Sequence, residues 1–318
     1  MRIIYMGTPE FAVESLELLL KNNYDIVGVI TVPDKPAGRG QQLQQSAVKK
    51  YALEKKLTIL QPEKLKDENF INQLRELKAD LQIVVAFRML PEVVWNMPRL
   101  GTINLHGSLL PNYRGAAPIN WAVINGEKET GVSTFFLQQE IDTGKIIFQE
   151  KTPIAENETA GEVHDKLMHI GAQLVLKTVQ AIERGNYPQV DQTQLITADE
   201  QIKIAPKIFK PDCRIDWNLN VEEIHNKIRG LSPYPAAFTD FITPEGKEVS
   251  LKIFKSTKET SMHNLPIASI ITDSKHYIKV AVKNGYLHIC ELQIAGKKRM
   301  AVDELLRGFP LKGDWRVN

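Results

Sequence analysis

Along residues 1–185, short apolar runs alternate with segments of helical spacing, and this alternation constrains the fold more than any other feature. Residues 2–6 form one run, bounded by Gly7-Thr8-Pro9, and residues 26–31 form a β-branched second. Residues 81–86 are apolar at nearly every position, as in a strand buried on both faces. Shorter strand patterns lie at 58–60, 102–105, 132–137 and 146–152, the last two spaced for a hairpin. Helical spacing is predicted from Thr8, as N-cap with Pro9 behind it, and over 46–56, 67–77 and 159–184. Residues 32–43 are rich in Gly, Pro and charge and read as a loop. Repeated strand–helix units predict an α/β fold: a doubly wound, mostly parallel sheet with its site at the carboxyl ends of the strands.

Beyond residue 185 the pattern changes. Residues 186–205 read as a linker, leaving 1–185 as a catalytic domain and 206–318 as a second domain. After one helix at 221–229, strand-like runs at 237–242, 249–254, 267–271, 278–282 and 287–292 suggest a small β-barrel of OB-like type. Charge divides along the same line: 21 Lys+Arg against 25 Asp+Glu in residues 1–200, but 19 against 13 in 201–318. A basic domain beside a mildly acidic one suits a polyanionic partner, nucleic acid above all, though a solvated basic face has the same composition.

Several classes are excluded. A 43% hydrophobic, 25% charged chain is not intrinsically disordered. No apolar run approaches the ~18 residues of a membrane span, and no secretory leader is expected, so a cytoplasmic setting fits. Two cysteines, Cys213 and Cys290, provide neither a disulfide framework nor zinc spacing, and no metal is expected. The first turn lacks GxGxxG, and no GxxxxGK[ST] occurs. Gly7 by itself reads as a tight turn.

The informative stretch is 104–118, NLHGSLLPNYRGAAP. Asn104 and His106 are two apart at a strand's carboxyl end and share one face, where a catalytic and a structural role are both open. A polar cluster at 138–144 follows the next strand, and its Asp142 is placed to meet the histidine and to orient and charge the imidazole. The other six histidines read as structural or surface residues. No GxSxG elbow appears at Ser108, so the chemistry expected is direct transfer without a covalent intermediate.

These residues resemble the formyltransferases that use 10-formyltetrahydrofolate. The likeness runs through NLHGSLLPNYRGAAPINWAVINGE, VSTFF, EIDTGKII, MRIIYMGTPEFAV, PDKPAGRG, IAPKIFKPDCRIDW and YPAAF, essentially the full length. It implies a catalytic trio of Asn104, His106 and Asp142. It implies a folate site lined by Ser108, Leu109, Leu110 and Pro111, with Phe87, Arg88, Met89 and Leu90 cupping the pterin and Ile141, Thr143 and Gly144 closing the other side. Many members have Tyr-Gly where this chain has Phe87-Arg88. Within the family the likeness is to the branch that formylates the α-amine of initiator methionyl-tRNA, acting as a monomer. For that tRNA it implies Arg39, in the loop 34–43, and the basic candidates are Lys203, Lys207, Lys210, Lys297, Lys298 and Arg299. Attack of a neutral amine on the formyl carbon creates an oxyanion that the Asn104 amide and a cationic His106 can meet, while Asp142 manages protons. Two alternatives stand beside this: formylation of a small amine, an amino sugar or purine intermediate, and a nucleic-acid-binding protein with an inactive transferase domain.

Overall fold

The computed structural model describes residues 1–37, 42–196, 201–309 and 311–318. The chain divides into two compact units. The first comprises Met1–Pro118, Thr130–Thr152 and His164–Ile204; the second comprises Ile119–Glu129, Pro153–Val163 and Ala205–Asn318.

The first unit is built on a seven-stranded sheet, in the order Ile146–Pro153, Glu129–Phe136, Thr102–His106, Leu81–Val85, Arg2–Gly7, Asp25–Ile30, Ile59–Leu60. Five strands from Thr102–His106 to Ile59–Leu60 run parallel, and Glu129–Phe136 pairs antiparallel with Thr102–His106. Strand Leu81–Val85 is buried at every position, as its continuous apolar run requires. The chain leaves the first strand for one side of the sheet and later returns on the other. The order therefore reverses between Arg2–Gly7 and Leu81–Val85, and the carboxyl ends there flank a crevice suited to ligands.

Local chemistry sets the helices. Ser46 and Asp67 cap Ala47–Glu54 and Glu68–Glu76, their side-chain oxygens accepting from the N–H of Lys49 and Phe70. The expected cap at Thr8 is not formed. The chain is still extended at Pro9, a short 3₁₀ turn follows at Glu10–Ala12, and the α-helix begins at Val13. The Tyr5 hydroxyl, wholly buried, donates to the Ala12 carbonyl at 2.5 Å and so holds that turn against the sheet. Gly7 permits the approach: a Cβ there would lie 2.6 Å from the Ala12 Cβ and 3.1 Å from the Val85 carbonyl. A second correction concerns residues 32–43. Rather than only a loop, they include an antiparallel ribbon of Lys35–Ala37 and Gln42–Gln44. Arg39 lies outside the described residues.

The second unit is an antiparallel sheet in the order Ile270–Thr272, Ile278–Val282, Gly285–Ile294, Glu248–Thr260, Ala237–Ile242, Arg316–Val317. Its two edges meet. The Ile270 N–H donates to the Trp315 carbonyl at 3.0 Å, and the Val317 N–H to the Ala268 carbonyl at 2.9 Å, which closes the sheet into a small barrel. Helix Val221–Leu231 packs Ile224, Ile228 and Leu231 onto the barrel core with Phe241, Leu251, Ile253, Leu287 and Leu292. Its start carries a reciprocal cap, Asn220 accepting from the Glu223 N–H and Glu223 from the Asn220 N–H.

Candidate active site

His106 ends the strand next to the reversal point and is buried, only 6% exposed. Its Nε2 lies 2.8 Å from the Tyr113 carbonyl. A carbonyl can only accept, so in this arrangement Nε2 carries the proton and Nδ1 is the nitrogen with its lone pair free. Nδ1 faces Asp142 Oδ2 at 3.8 Å, beyond a hydrogen bond but close enough for strong attraction once the ring is charged. Asn104 precedes His106 by two residues and is half-buried, and its side-chain amide makes no hydrogen bond among the described residues.

Asp142 is held from two directions in an uncommon conformation. Its backbone is left-handed, φ 54°, an uncommon state for a residue with a Cβ. Its Oδ2 accepts the Gly115 N–H at 2.9 Å, and its carbonyl accepts Gln192 Nε2 at 2.8 Å. Gln192 also donates to the Gly144 carbonyl at 2.8 Å, and its Oε1 accepts Arg114 Nε at 3.0 Å and Nη2 at 2.6 Å. One buried amide thus ties the turn carrying Asp142 to the loop after His106. Gln192 lies inside the segment expected as a linker, and the only local signal near it is Asp191, which caps a short 3₁₀ turn. Sequence reasoning missed it.

Left-handed backbone also occurs at Ala86 (φ 47°) and Tyr113 (φ 61°). Three such residues on three loops around one strand end are the kind of strain that collects at functional sites.

The residues assigned to a cosubstrate fall into two groups. Ser108, Leu110 and Pro111 are buried and serve the loop itself. Ser108 Oγ donates to the Asn112 carbonyl at 2.7 Å, and the Ser108 carbonyl accepts Ser133 Oγ at 2.6 Å. Gln149 Nε2 donates to the Leu110 carbonyl at 2.9 Å. Leu109 is half-buried, packed so close to Gly131 that a Cβ there would lie 2.6 Å from its Cδ2. Thr143 Oγ1 donates to the Glu140 carbonyl at 3.0 Å, and Gly144 leaves no space for a side chain, since a Cβ would sit 1.7 Å from the Phe136 carbonyl.

In contrast, Met89 is 76% exposed and Ile141 61% exposed, two large apolar side chains on the loops that follow their strands. Leu90 is buried and Phe87 half-buried. Arg88 Nη1 donates to the Glu63 carbonyl at 3.0 Å and Nη2 to the Pro62 carbonyl at 2.8 Å, while burial lowers the guanidinium's pKa from its ordinary value. Arg88 therefore fastens the 87–90 loop to residues 62–63. Beside it, residues 60–73 line a cavity of about 420 Å³, with Lys64, Asn69 and Gln73 on its wall.

Among the basic candidates, Lys203, Lys207 and Lys210 are exposed. Arg299 is bound to Glu291 through two bonds of 2.7 Å, and Lys298 lies 2.8 Å from Glu304. Of that run, only Lys297 is without an ion pair among the described residues. Among the described residues, no group of three or more His, Cys, Asp or Glu side chains is arranged to hold a metal, and no helix is long and apolar enough to cross a membrane.

Residues 1–179 match the family model described as Formyl transferase, and residues 207–310 the one described as Formyl transferase, C-terminal domain. The chain is similar to the methionyl-tRNA formyltransferase of Bacteroides thetaiotaomicron, 60% identical over 318 residues, 100% of this chain and 98% of that protein. The protein of the same name from Flavobacterium johnsoniae is 53% identical over 317 residues, 100% and 99% of the two chains. Among solved structures, WlaRD, a sugar 3N-formyl transferase crystallised with dTDP and 5-N-formyl-THF, aligns with a TM-score of 0.64 at 22% identity, covering 94% of this chain and 99% of that one. HypX from Aquifex aeolicus, in complex with tetrahydrofolic acid, aligns with a TM-score of 0.63 at 18% identity, over 98% of this chain and 48% of its own. At these identities the two structures share the fold.

Proposed function

The chain belongs to the formyl transferase family, and from that premise we infer that it transfers a formyl group from 10-formyltetrahydrofolate to the α-amino group of initiator methionyl-tRNA, for translation initiation. The observation that carries this reading is 60% identity to a methionyl-tRNA formyltransferase along the whole chain, the basic second half included. The small-amine alternative rests on fold likeness alone.

The residues at the strand ends fit a folate. Exposed Met89 and Ile141 offer apolar walls to a flat ring. Arg88 acts on this wall indirectly, by holding the loop. When bound, the cosubstrate supplies an electrophilic formyl carbon.

Asn104, His106 and Asp142 are the catalytic residues in this reading. With Nε2–H committed to Tyr113, protonation of His106 places its second proton on Nδ1. At 3.8 Å that proton is not locked to Asp142 and can be donated to an oxygen gaining negative charge. The Asn104 amide, without a protein partner, is available as a second, neutral donor. Asp142 stabilises the imidazolium, and one of its oxygens is already committed to the Gly115 N–H. Its other oxygen is left to take a proton from the attacking amine and to return it, through water, to the folate nitrogen that leaves when its bond to the formyl carbon breaks. Gln192 positions Asp142 without touching the reacting atoms. The exposed lysines of the second unit and Arg39 hold tRNA phosphates, and the protein acts as a cytoplasmic monomer.

The test is direct. The protein, 10-formyltetrahydrofolate and methionine-charged initiator tRNA are incubated, the ester is hydrolysed, and formylmethionine is measured. Formylmethionine is the expected product. Its absence, with formylation of an amino sugar under the same conditions, overturns the reading.

A further inference from the structure

We propose that Phe209 is a stacking platform for an unpaired base of the tRNA, a role that rests on the substrate reading above. The residue is 58% exposed, yet its backbone is fixed. The Phe209 N–H donates to Asp212 Oδ2 at 2.7 Å, and its carbonyl accepts the Asp212 N–H at 3.0 Å and Cys213 Sγ at 3.4 Å. On one side, Ile208 packs against the barrel core; on the other, Cys213 is part of it. The phenyl ring is therefore displayed to solvent from a closed turn with anchors before and after.

Its neighbours identify the occupant. Lys207 Nζ lies over the ring, 5.4 Å from its centroid, and Lys210 follows directly and is exposed. Neither lysine is in an ion pair among the described residues, in contrast to Lys298 and Arg299. An exposed aromatic ring with one lysine over it and a second next to it in the chain, neither ion-paired, suits a nucleic-acid base with its adjacent phosphates, because the ring stacks on the base while the ammonium groups meet the backbone. An apolar peptide would leave the lysines unanswered, and a small anion would leave the ring exposed. The excess of basic residues beyond residue 200 agrees with a polyanion. A base already paired and stacked within a duplex cannot offer its face, so the platform takes an unpaired or terminal one.

The experiment uses the full chain with Phe209→Ala, Phe209→Leu and Phe209→Trp. Formylation is followed at saturating 10-formyltetrahydrofolate with methionyl-tRNA varied, and then with the two roles reversed. Loss of one stacked base predicts a rise of about tenfold in the KM for tRNA in the Ala and Leu variants. Their kcat and their KM for folate stay unchanged, and the Trp variant stays within about twofold of the parent. Leu keeps the apolar bulk but has no π-face, so it separates stacking from filling. A Leu variant equal to the parent, or an Ala variant with unchanged KM for tRNA, overturns the platform while leaving the substrate reading intact. A parent protein inert toward methionyl-tRNA overturns both.

Discussion

Asp142 combines a charge with a conformation that most residues avoid, and the two can be separated. Asn tolerates left-handed backbone well and can still accept the Gly115 N–H, so Asp142→Asn keeps the turn and removes the charge. It is expected to slow single-turnover formyl transfer by ~10²-fold with a change in stability below about 1 kcal/mol. His106→Ala and Asn104→Ala should each lose ~10²-fold or more, the scale of a missing oxyanion donor. Near-normal single turnover in these last two variants would remove the trio from the chemistry. Gln192→Ala is expected to lower kcat by roughly tenfold and to destabilise by about 1–3 kcal/mol, because it leaves the Asp142 and Gly144 carbonyls and the Arg114 guanidinium without their partner. A chemical denaturation curve and a kcat measured on one preparation check both parts.

The ribbon of Lys35–Ala37 and Gln42–Gln44 is fastened at its base. Lys49 Nζ lies 2.6 Å from Asp34 Oδ2, and Gln61 Nε2 donates to Asp34 Oδ1 at 2.9 Å; these contacts hold the Asp34 carboxyl below its ordinary pKa. Arg39 falls between these two strands in the sequence and outside the described residues, and the family resemblance implies that it meets the tRNA. Arg39→Ala should therefore impair reaction with charged tRNA much more than folate binding, which titration with each substrate separately would reveal. Equal losses would assign the ribbon to the folate site. Helix Val221–Leu231 carries a different prediction. His225 is buried, and burial first, with the nearby Arg229 second, lowers its pKa from the ordinary imidazole value. The unfolded chain then binds this proton more readily than the folded one, so His225 favours folding above about pH 6.5 and opposes it as pH falls below that value. Melting temperature should drop from pH 7 to pH 5, and His225→Gln should make the drop shallower; parallel curves would acquit His225.

Over the whole molecule, the basic run near the end is weaker than its composition suggests. Arg299 and Lys298 already face carboxylates, so Lys297 is the member of the run left to meet a phosphate. Lys297→Ala should reduce the slope of log affinity for tRNA against log salt by about 0.7–0.9, the value of one phosphate contact. Replacing all three residues should add little, and a slope change two or three times larger would mean that tRNA displaces Glu291 and Glu304. The second unit also draws on residues far upstream. Asn120 Nδ2 donates to the Gly230 carbonyl and Trp121 Nε1 to the Pro206 carbonyl, both at 2.8 Å. Deleting residues 206–318 should consequently destabilise what remains, even though the proposed trio precedes the cut. A fragment of residues 1–205 melting like the full chain would contradict this.

The alternating strands and helices of the first half, and the placing of Asn104 and His106 at the end of one of its strands, were legible because both depend on local features. Continuous apolar runs mark doubly buried strands, Ser46 and Asp67 announce helix starts, and an Asn–x–His at a strand terminus places two side chains on one face. Helix Val302–Gly308 and strand Arg316–Val317 went unread because they are short and mostly polar, and the strand is defined by pairing with Ala237–Ile242 far upstream. Strand Glu248–Thr260 runs well past the apolar stretch at 249–254, because its later residues, Lys255 to Thr260, are all polar and carry no apolar signal for a strand. The sequence by itself determined the kinds of element, the residues able to do proton chemistry and the sign of charge on each half. Tertiary structure alone decided that the Tyr113 carbonyl accepts the hydrogen bond of His106 Nε2–H, that Gln192 clamps Asp142, and that Glu291 neutralises Arg299. Patterning is a property of neighbours in the chain, whereas a hydrogen-bond or ion-pair partner depends on which distant segments the folded backbone brings within 3–4 Å.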